Sequence, residues 1–483
     1  MKISLLSIIL VIILCIRDTI CGRLFGEGFI PTNYYENQQQ VQQREVIKAA
    51  IQKLNNAPEW VSNWPNPNTK LGQVSGLALD NDGRLLVFHR VNNVWDETTF
   101  NERNVYNFIG TPAIKEPTIL VLNDTGEVVD EWGQDLFFMP HGITVDKEDN
   151  VWVTDVAMHQ VLKFSPNNRE KPALVLGSKF IPGEDDTHFC KPSAVAVLPN
   201  GDFFVADGYC NHRIVKFSKD GNIILQWGTS HGSTNFRFNV PHALTLAEDR
   251  GLVCVADRER GRVACFRHDN GSYVSSYSNW LIGGRIFSVA YAPVHGGRLY
   301  VVNGPTGAVP VRGYVIDFES GRLIQTFSPD DGLRNPHDIV VTPDGVSVYV
   351  AELSPFKVHK FMDETLRNES LSIEKTHVKP TATVEVVGGA AGAGGGGAWE
   401  WWSGAAGGAG GAAAAALLAL AALALLRARN TGRKVATRRR WEYGHGEFKL
   451  RRLLERRRFT RVHSDDSDEE PAPMLPHTSP ANA

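Results

Sequence analysis

The chain reads as all-β, folded into a six-bladed β-propeller, on three observations. Between about residues 60 and 365 one unit recurs six times. Inside each copy apolar residues alternate at period two, and Gly, Asp and Asn recur where turns are needed, which excludes helical repeats. Consecutive copies start 52 residues apart from Pro140 to Pro192 and 49 apart from Pro192 to Pro241. Short β-rich units of that length are four-stranded blades, and closing them into a ring removes most exposed sheet edges.

Each unit runs through an apolar strand, a turn, a second strand ending in a triplet like V-x-D, a loop, and a third strand ending in Phe. The first copy is VSGLALDNDGRLLVFHR from Val74, and the second is PHGITVDKEDNVWVTDVAMHQVLKF from Pro140. PSAVAVLPNGDFFVADGYCNHRIVKF from Pro192 and PHALTLAEDRGLVCVADRERGRVACF from Pro241 follow. The last two are IFSVAYAPVHGGRLYVVNG from Ile286 and PHDIVVTPDGVSVYVAELSPFKVHKF from Pro336. Residues 31–64 hold no copy and are expected to supply a closing strand or a cover.

The two ends differ in kind from the repeats. Residues 3–15 are almost purely Ile, Leu, Ser and Val behind Lys2, the pattern of a signal-peptide core too short to span a bilayer. Cleavage is expected near Cys21 or Gly22. At the other end Gly404 to Leu426 is a run of 23 uncharged residues, where about 20 suffice to cross a membrane. Trp399, Trp401 and Trp402 on one side suit an interfacial belt, and Arg427, Arg429, Arg433, Lys434 and Arg438–Arg440 on the other suit the cytosol. The expected organisation is therefore a signal peptide (1–21), an N-terminal segment (22–70), the propeller (71–365), a Gly/Ala-rich linker (366–403), a transmembrane segment (404–426) and a disordered cytosolic tail (427–483). This is a type I membrane protein of the secretory pathway, in Golgi, secretory granule or cell surface, with its globular part lumenal or extracellular. A soluble secreted form is compatible with it.

Charge adds little. The formal net charge is −3, because the tail's basic stretch to Arg461 offsets the acidic block around Ser464 and Ser467. That acidic block is a candidate phosphorylation and sorting signal. A basic run beside a membrane span favours anionic lipid over nucleic acid.

Cys15 and Cys21 lie in or beside the signal, which leaves Cys190, Cys210, Cys254 and Cys265 for an exported domain. Four cysteines allow three pairings. Cys254 and Cys265 flank the hairpin-like stretch VADRERGRVA, so a cross-strand Cys254–Cys265 bridge is the cheapest choice and leaves Cys190 with Cys210. Asn123, Asn270 and Asn368 open glycosylation sequons.

The first strand of a blade lies nearest the channel. The position that opens it, read around the ring, is Ser75, His141, Ser193, His242, Phe287 and His337. Histidines thus occupy blades two, four and six, about 120° apart by the symmetry of a six-bladed ring. A catalytic zinc takes three protein ligands and leaves a fourth position open. The end of the second strand lies on the same face, and there the chain carries Arg90 in blade one, Tyr209 in blade three and Arg258 in blade four. Guanidinium forks suit a carboxylate, and a tyrosine whose pKa is lowered by cationic neighbours suits a general base. Asp338, directly after His337, suits a harder cation such as calcium together with backbone carbonyls.

The stretches GQVSGLALD, LLVFHR, VWD, MPHGITVD, VWVTDVAMHQVLKF, HFCKPSAVAV, DGYCNHRIVKFS, VPHALTL, CVADRERGRVACF and NPHDIV closely resemble the peptidyl-α-hydroxyglycine α-amidating lyases. The resemblance runs in order from Leu71 to Phe361 and is more specific than a likeness to NHL-type propellers in general. It implies cleavage of a peptidyl-α-hydroxyglycine to a peptide C-terminal amide and glyoxylate, the second step of neuropeptide and peptide-hormone amidation. It implies zinc on His141, His242 and His337, and structural calcium on Asp338 with the main-chain oxygens of Leu77 and Ile143. It places Arg90, Tyr209 and Arg258 on catalytic positions, and Cys190–Cys210 and Cys254–Cys265 on the family's disulfides. One departure is Asn335, which stands where the family pattern has Met before the last Pro-His. Residues 22–70 are too few to hold the copper monooxygenase that vertebrate chains join to the lyase. A stand-alone, membrane-anchored lyase fed by a separate monooxygenase is therefore expected. A rival reading, a non-enzymatic membrane-tethered NHL propeller that binds partners with its rim, predicts no stoichiometric metal.

Overall fold

Strand pairing in the computed structural model, which describes residues 32–377 apart from 229–235 and 308, follows the repeat. Blade one runs outward through Val74–Leu79, Leu85–His89, Ile119–Leu122 and Val128–Trp132, each antiparallel to the next. The other blades are built the same way on first strands Pro140–Val145, Ala194–Val197, Pro241–Ala247, Ile286–Ala292 and Pro336–Val341. Each first strand packs against those of both neighbouring blades, and the sixth packs against the first, so the ring closes.

Burial explains the sequence pattern. Second strands such as Leu85–His89, Val151–Asp155, Phe203–Asp207 and Leu252–Asp257 are buried at every position, because neighbouring blades cover both faces. They therefore read as nearly continuous apolar runs. The outermost Val128–Trp132 exposes all but its last residue and carries the charged pair Asp130 and Glu131. The phenylalanines at or next to the ends of third strands, Phe164, Phe217, Phe266 and Phe361, are buried, each worth about 1.5–3 kcal/mol of transfer free energy.

Closure comes from the segment without a repeat. Glu59–Trp60 pairs antiparallel with Lys357–Met362 and supplies the outer strand that blade six lacks. Asn55–Asn56 adds a parallel strand to the edge of blade five. The propeller thus begins before residue 71, the boundary expected from the repeats, because a two-residue edge strand has no pattern of its own to read. A helix, Thr32–Ile51, precedes these strands and seats Ile47 and Ile51 against Leu281 and Val309. The described chain ends in a second helix, Glu364–His377. Among the described residues no helix is long and apolar enough to cross a membrane, and the expected signal peptide and span lie outside them.

Two local devices aim side chains at the channel face. Each Pro-His opens on a β-bulge: the register jumps between Pro140 and Ile143, Pro241 and Ala243, and Pro336 and Asp338. The histidine is left out of the ladder, so its direction is freed from strand alternation. The acidic residue ending the second strand then anchors the incoming loop. Asp155 accepts the amides of Phe138 and Met139, Asp207 that of Cys190, Asp257 that of Asn239, and Glu352 those of Arg334 and Asn335.

Candidate active site

His141, His242 and His337 meet at one end of the channel. Their ring centroids are 4.7–5.0 Å apart, nearly an equilateral triangle, and all three are buried. Each Nδ1–H donates to a main-chain carbonyl of the next blade: His141 to Ser193 (2.8 Å), His242 to Phe287 (2.7 Å) and His337 to Ser75 (2.7 Å). With Nδ1 committed as donor, each neutral ring carries its lone pair on Nε2. Burial and neighbouring positive charge hold the His141 and His242 rings well below the usual imidazole range, and burial holds His337 at about 3. The candidate ligand atoms lie within 4.8 Å of one another. Three neutral imidazole nitrogens facing one point fit a borderline cation such as zinc.

Tyr209 reaches the same point. Its hydroxyl lies 2.8 Å from His141 Nε2 and 2.9 Å from His242 Nε2. One phenolic proton can serve only one of those two lone pairs, and a cation held by all three nitrogens would require that proton to leave. The Cys190–Cys210 disulfide ties the loop behind Tyr209 to the loop that enters blade three. Burial pushes the phenol above its ordinary value, with Arg258 and Arg90 pulling it down. The expected lowering by the arginines is thus outweighed by desolvation, a quantity that sequence position does not carry.

Arg90 is buried rather than a surface charge. Its Nε donates to Pro140 O (2.8 Å), its Nη1 donates to Gln73 Oε1 (2.5 Å), and its Nη2 is buried without a partner. Burial lowers its pKa to about 10, so it stays charged at neutral pH. Arg258 stacks over the rings of Tyr209 (5.3 Å) and Phe287 (5.0 Å) and donates from Nε to Glu259. Both arginines, Tyr209 and His337 line one cavity of about 220 Å³. Sequence reasoning assigned no role to three other residues of its wall: Gln73, Trp95 and Leu353. Trp95 packs 4.8 Å from the Tyr209 ring and beneath the Arg90 guanidinium. The available signal was loop length. Residues 90–118 join the second and third strands of blade one, where residues 156–159 suffice in blade two.

Below the histidines the channel widens to a cavity of about 390 Å³ between the first strands, lined also by Leu77, Ile143 and Asp338. Asp338 accepts from Leu77 N (2.8 Å), Ser288 Oγ (2.7 Å) and Ile339 N (2.9 Å), and burial raises its pKa to about 6. A strand residue's N–H and C=O point the same way, so the Leu77 carbonyl faces the channel with its amide.

Both expected disulfides form, and Cys254 stands directly opposite Cys265 on adjacent strands. Asn270 and Asn368 are exposed, and Asn123 is half-buried in a turn, where its Oδ1 accepts from Thr125 and Glu127.

Comparison with known proteins adds to this geometry. Residues 137–164, 189–217 and 238–266 match the NHL repeat family. Peptidyl-alpha-hydroxyglycine alpha-amidating lyase 1 of Drosophila melanogaster is 48% identical over 363 residues, which are 71% of this chain and 66% of the fly protein. Lyase 2 of the same fly is 42% identical, over 61% of this chain and 72% of that protein. Peptidyl-glycine alpha-amidating monooxygenase B of Xenopus laevis is 44% identical over 67% of this chain, and the match spans only 38% of the frog protein.

Proposed function

This chain belongs to the peptidyl-α-hydroxyglycine α-amidating lyase family, and we propose that its propeller cleaves peptidyl-α-hydroxyglycines to a peptide amide and glyoxylate. The observation that carries the reading is the juxtaposition of three clustered Nε2 donors with a cavity of about 220 Å³ that His337 lines together with Tyr209 and a buried arginine whose Nη2 has no partner. His141, His242 and His337 would hold zinc. A bound zinc ion supplies Lewis acidity that lowers the pKa of a hydroxyl it contacts.

The protein's own groups do the rest. Arg90, with Arg258 across the cavity, receives the terminal carboxylate through charge-assisted hydrogen bonds. That places the α-hydroxyl toward Tyr209 and the histidines. Tyr209, acting as the phenolate that the two arginines and a cation on the histidines would favour, takes the hydroxyl proton as the C–N bond breaks. The hydroxyl carbon becomes the aldehyde of glyoxylate, and the proton returns to the departing nitrogen to complete the amide. Trp95 and Phe287 keep water from the reacting atoms. Asp338 with the carbonyls of Leu77 and Ile143 would hold a structural calcium, which offsets a carboxylate buried among apolar strands.

The wider setting belongs to the same proposal. A separate copper monooxygenase supplies the hydroxyglycine, and the chain works in the secretory pathway, anchored through Gly404–Leu426, with sugars on Asn123, Asn270 and Asn368. The test is glyoxylate release from benzoyl-α-hydroxyglycine by the purified full-length protein, with metal content measured on the same sample. Stoichiometric zinc with turnover is expected; turnover without zinc removes the metal assignment. Tyr209→Phe is expected to lose about 10²–10⁴-fold in kcat, and unchanged turnover would take the proton-transfer role away from Tyr209.

A further inference from the structure

Resting on that reading, we propose that the long loop of blade one forms a docking strip for the body of the peptide, the residues preceding the hydroxyglycine. Trp95, a wall of the catalytic cavity, begins a run of ring contacts that leads out of it. Trp95 packs on Phe100 (5.2 Å), Phe100 on Tyr106 (6.0 Å), and Tyr106 on Phe108 (5.5 Å), while Phe180 stacks on Tyr106 from the side. The run ends in solvent: Phe108 is 44% exposed, Ile109 50% and Ile181 56%.

The strip is held ready. Lys191 Nζ sits 4.2 Å over the Phe100 ring and donates to Asn104 Oδ1 (2.8 Å). Asn101 Oδ1 closes the turn through the amides of Arg103 and Val105. A preorganised apolar surface loses little entropy on binding. Its exposed end, Phe108, Ile109 and Ile181, is joined to the cavity wall at Trp95 through Phe100 and the buried Tyr106, and it lies within reach of the chain that emerges from that cavity. Its reach is at most about five residues of extended chain. The proposed ligand is therefore a peptide with apolar or aromatic side chains within about five residues of its hydroxyglycine end.

The experiment compares benzoyl-α-hydroxyglycine, which has no residue before its hydroxyglycine, with a hexapeptide carrying Phe and Leu upstream of its hydroxyglycine. The longer substrate is expected to show a KM about tenfold lower at similar kcat. The variant Phe108→Ser/Ile109→Ser/Ile181→Ser should erase that advantage and leave turnover of the benzoyl compound unchanged. Ile109→Glu/Ile181→Glu, altered only at exposed positions, should erase part of it. Calorimetry with the hexapeptide's amide product reads the same difference without turnover. Equal KM for both substrates in the parent protein overturns the proposal. So does an advantage that survives the triple variant. Failure of the lyase reading looks different: the parent protein then releases no glyoxylate from the benzoyl compound.

Discussion

Replacing Arg90 tests the site most directly, because its surroundings set the size of the effect. Two of its nitrogens are committed, to Pro140 O and Gln73 Oε1, and only Nη2 is left for a ligand. Charge-assisted hydrogen bonds contribute about 1.5–3 kcal/mol each. Arg90→Lys keeps a positive charge but loses the planar fork, so kcat/KM should fall about 10–150-fold. Arg90→Ala leaves a desolvated carboxylate unpaired, at a cost of about 3–5 kcal/mol or roughly 10²–10⁴-fold in kcat/KM. The assay is initial-rate glyoxylate release. Zinc content and melting temperature belong to the same experiment, because the bond to Pro140 O steadies the residue before His141. Added guanidinium should restore part of the lost activity to Arg90→Ala. A variant that keeps its zinc and stays within threefold of the parent would refute the carboxylate assignment, since Arg90 Nη2 is the one fully buried guanidinium nitrogen without a partner on this cavity among the described residues.

Three further outcomes are expected. His242→Ala removes one of three nitrogen donors and should lose both stoichiometric zinc and turnover; keeping both would sink the metal assignment. Asn335 lines the cavity, and its amide N–H is fixed by Glu352 independently of its side chain. Asn335→Met should therefore raise KM for benzoyl-α-hydroxyglycine about five-fold with zinc content unchanged, and an unchanged KM would show that the side chain makes no polar contact with substrate. Burial holds the Lys191 ammonium at about 8, below its ordinary value, so between there and about 10.4 the folded chain binds fewer protons than the unfolded one. Its charge thus costs stability at neutral pH, and stability rises as pH climbs through that window. Discounted for partial exposure and for the bond to Asn104, Lys191→Met should gain about 1–2 kcal/mol at pH 7 and nothing above about pH 10. Thermal melts across that range read the difference, and a pH-independent gain would refute the electrostatic cause.

The repeat, the blade count and the converging histidines were legible because each rests on a residue recurring at a fixed place in a periodic unit. Arg90, Tyr209 and Arg258 were legible for the same reason, since the end of a second strand can be found by counting from the turn. Trp95 was not. It sits in an irregular loop with no period, and its place beside Tyr209 depends on how residues 90–118 fold back across the rim. The direction of the Tyr209 shift was hidden for another reason. Two nearby arginines are visible in sequence, while the desolvation that outweighs them exists only once the cavity is closed. The acidic residues that end second strands marked the repeat without revealing that they hold the loops leading to the histidines.

The alternation of histidine and non-histidine blades carries a further consequence. Read as side chains, blades one, three and five contribute Ser75, Ser193 and Phe287, two hydroxyls and a phenyl ring with no chemistry shared by all three. Read as backbone, they contribute the same thing: the carbonyl that accepts Nδ1–H from the histidine of the preceding blade. Every residue has a carbonyl, so this half of the site leaves no trace in the sequence and places no demand on side-chain identity. It also makes the donor set a property of the closed ring. His337 of the last blade is oriented by Ser75 of the first, across the seam of the ring, and Glu59–Trp60 from the segment before blade one completes blade six. Metal binding to the three histidines, as proposed, would thereby be coupled to ring closure, since anything that binds the closed form stabilises it by mass action.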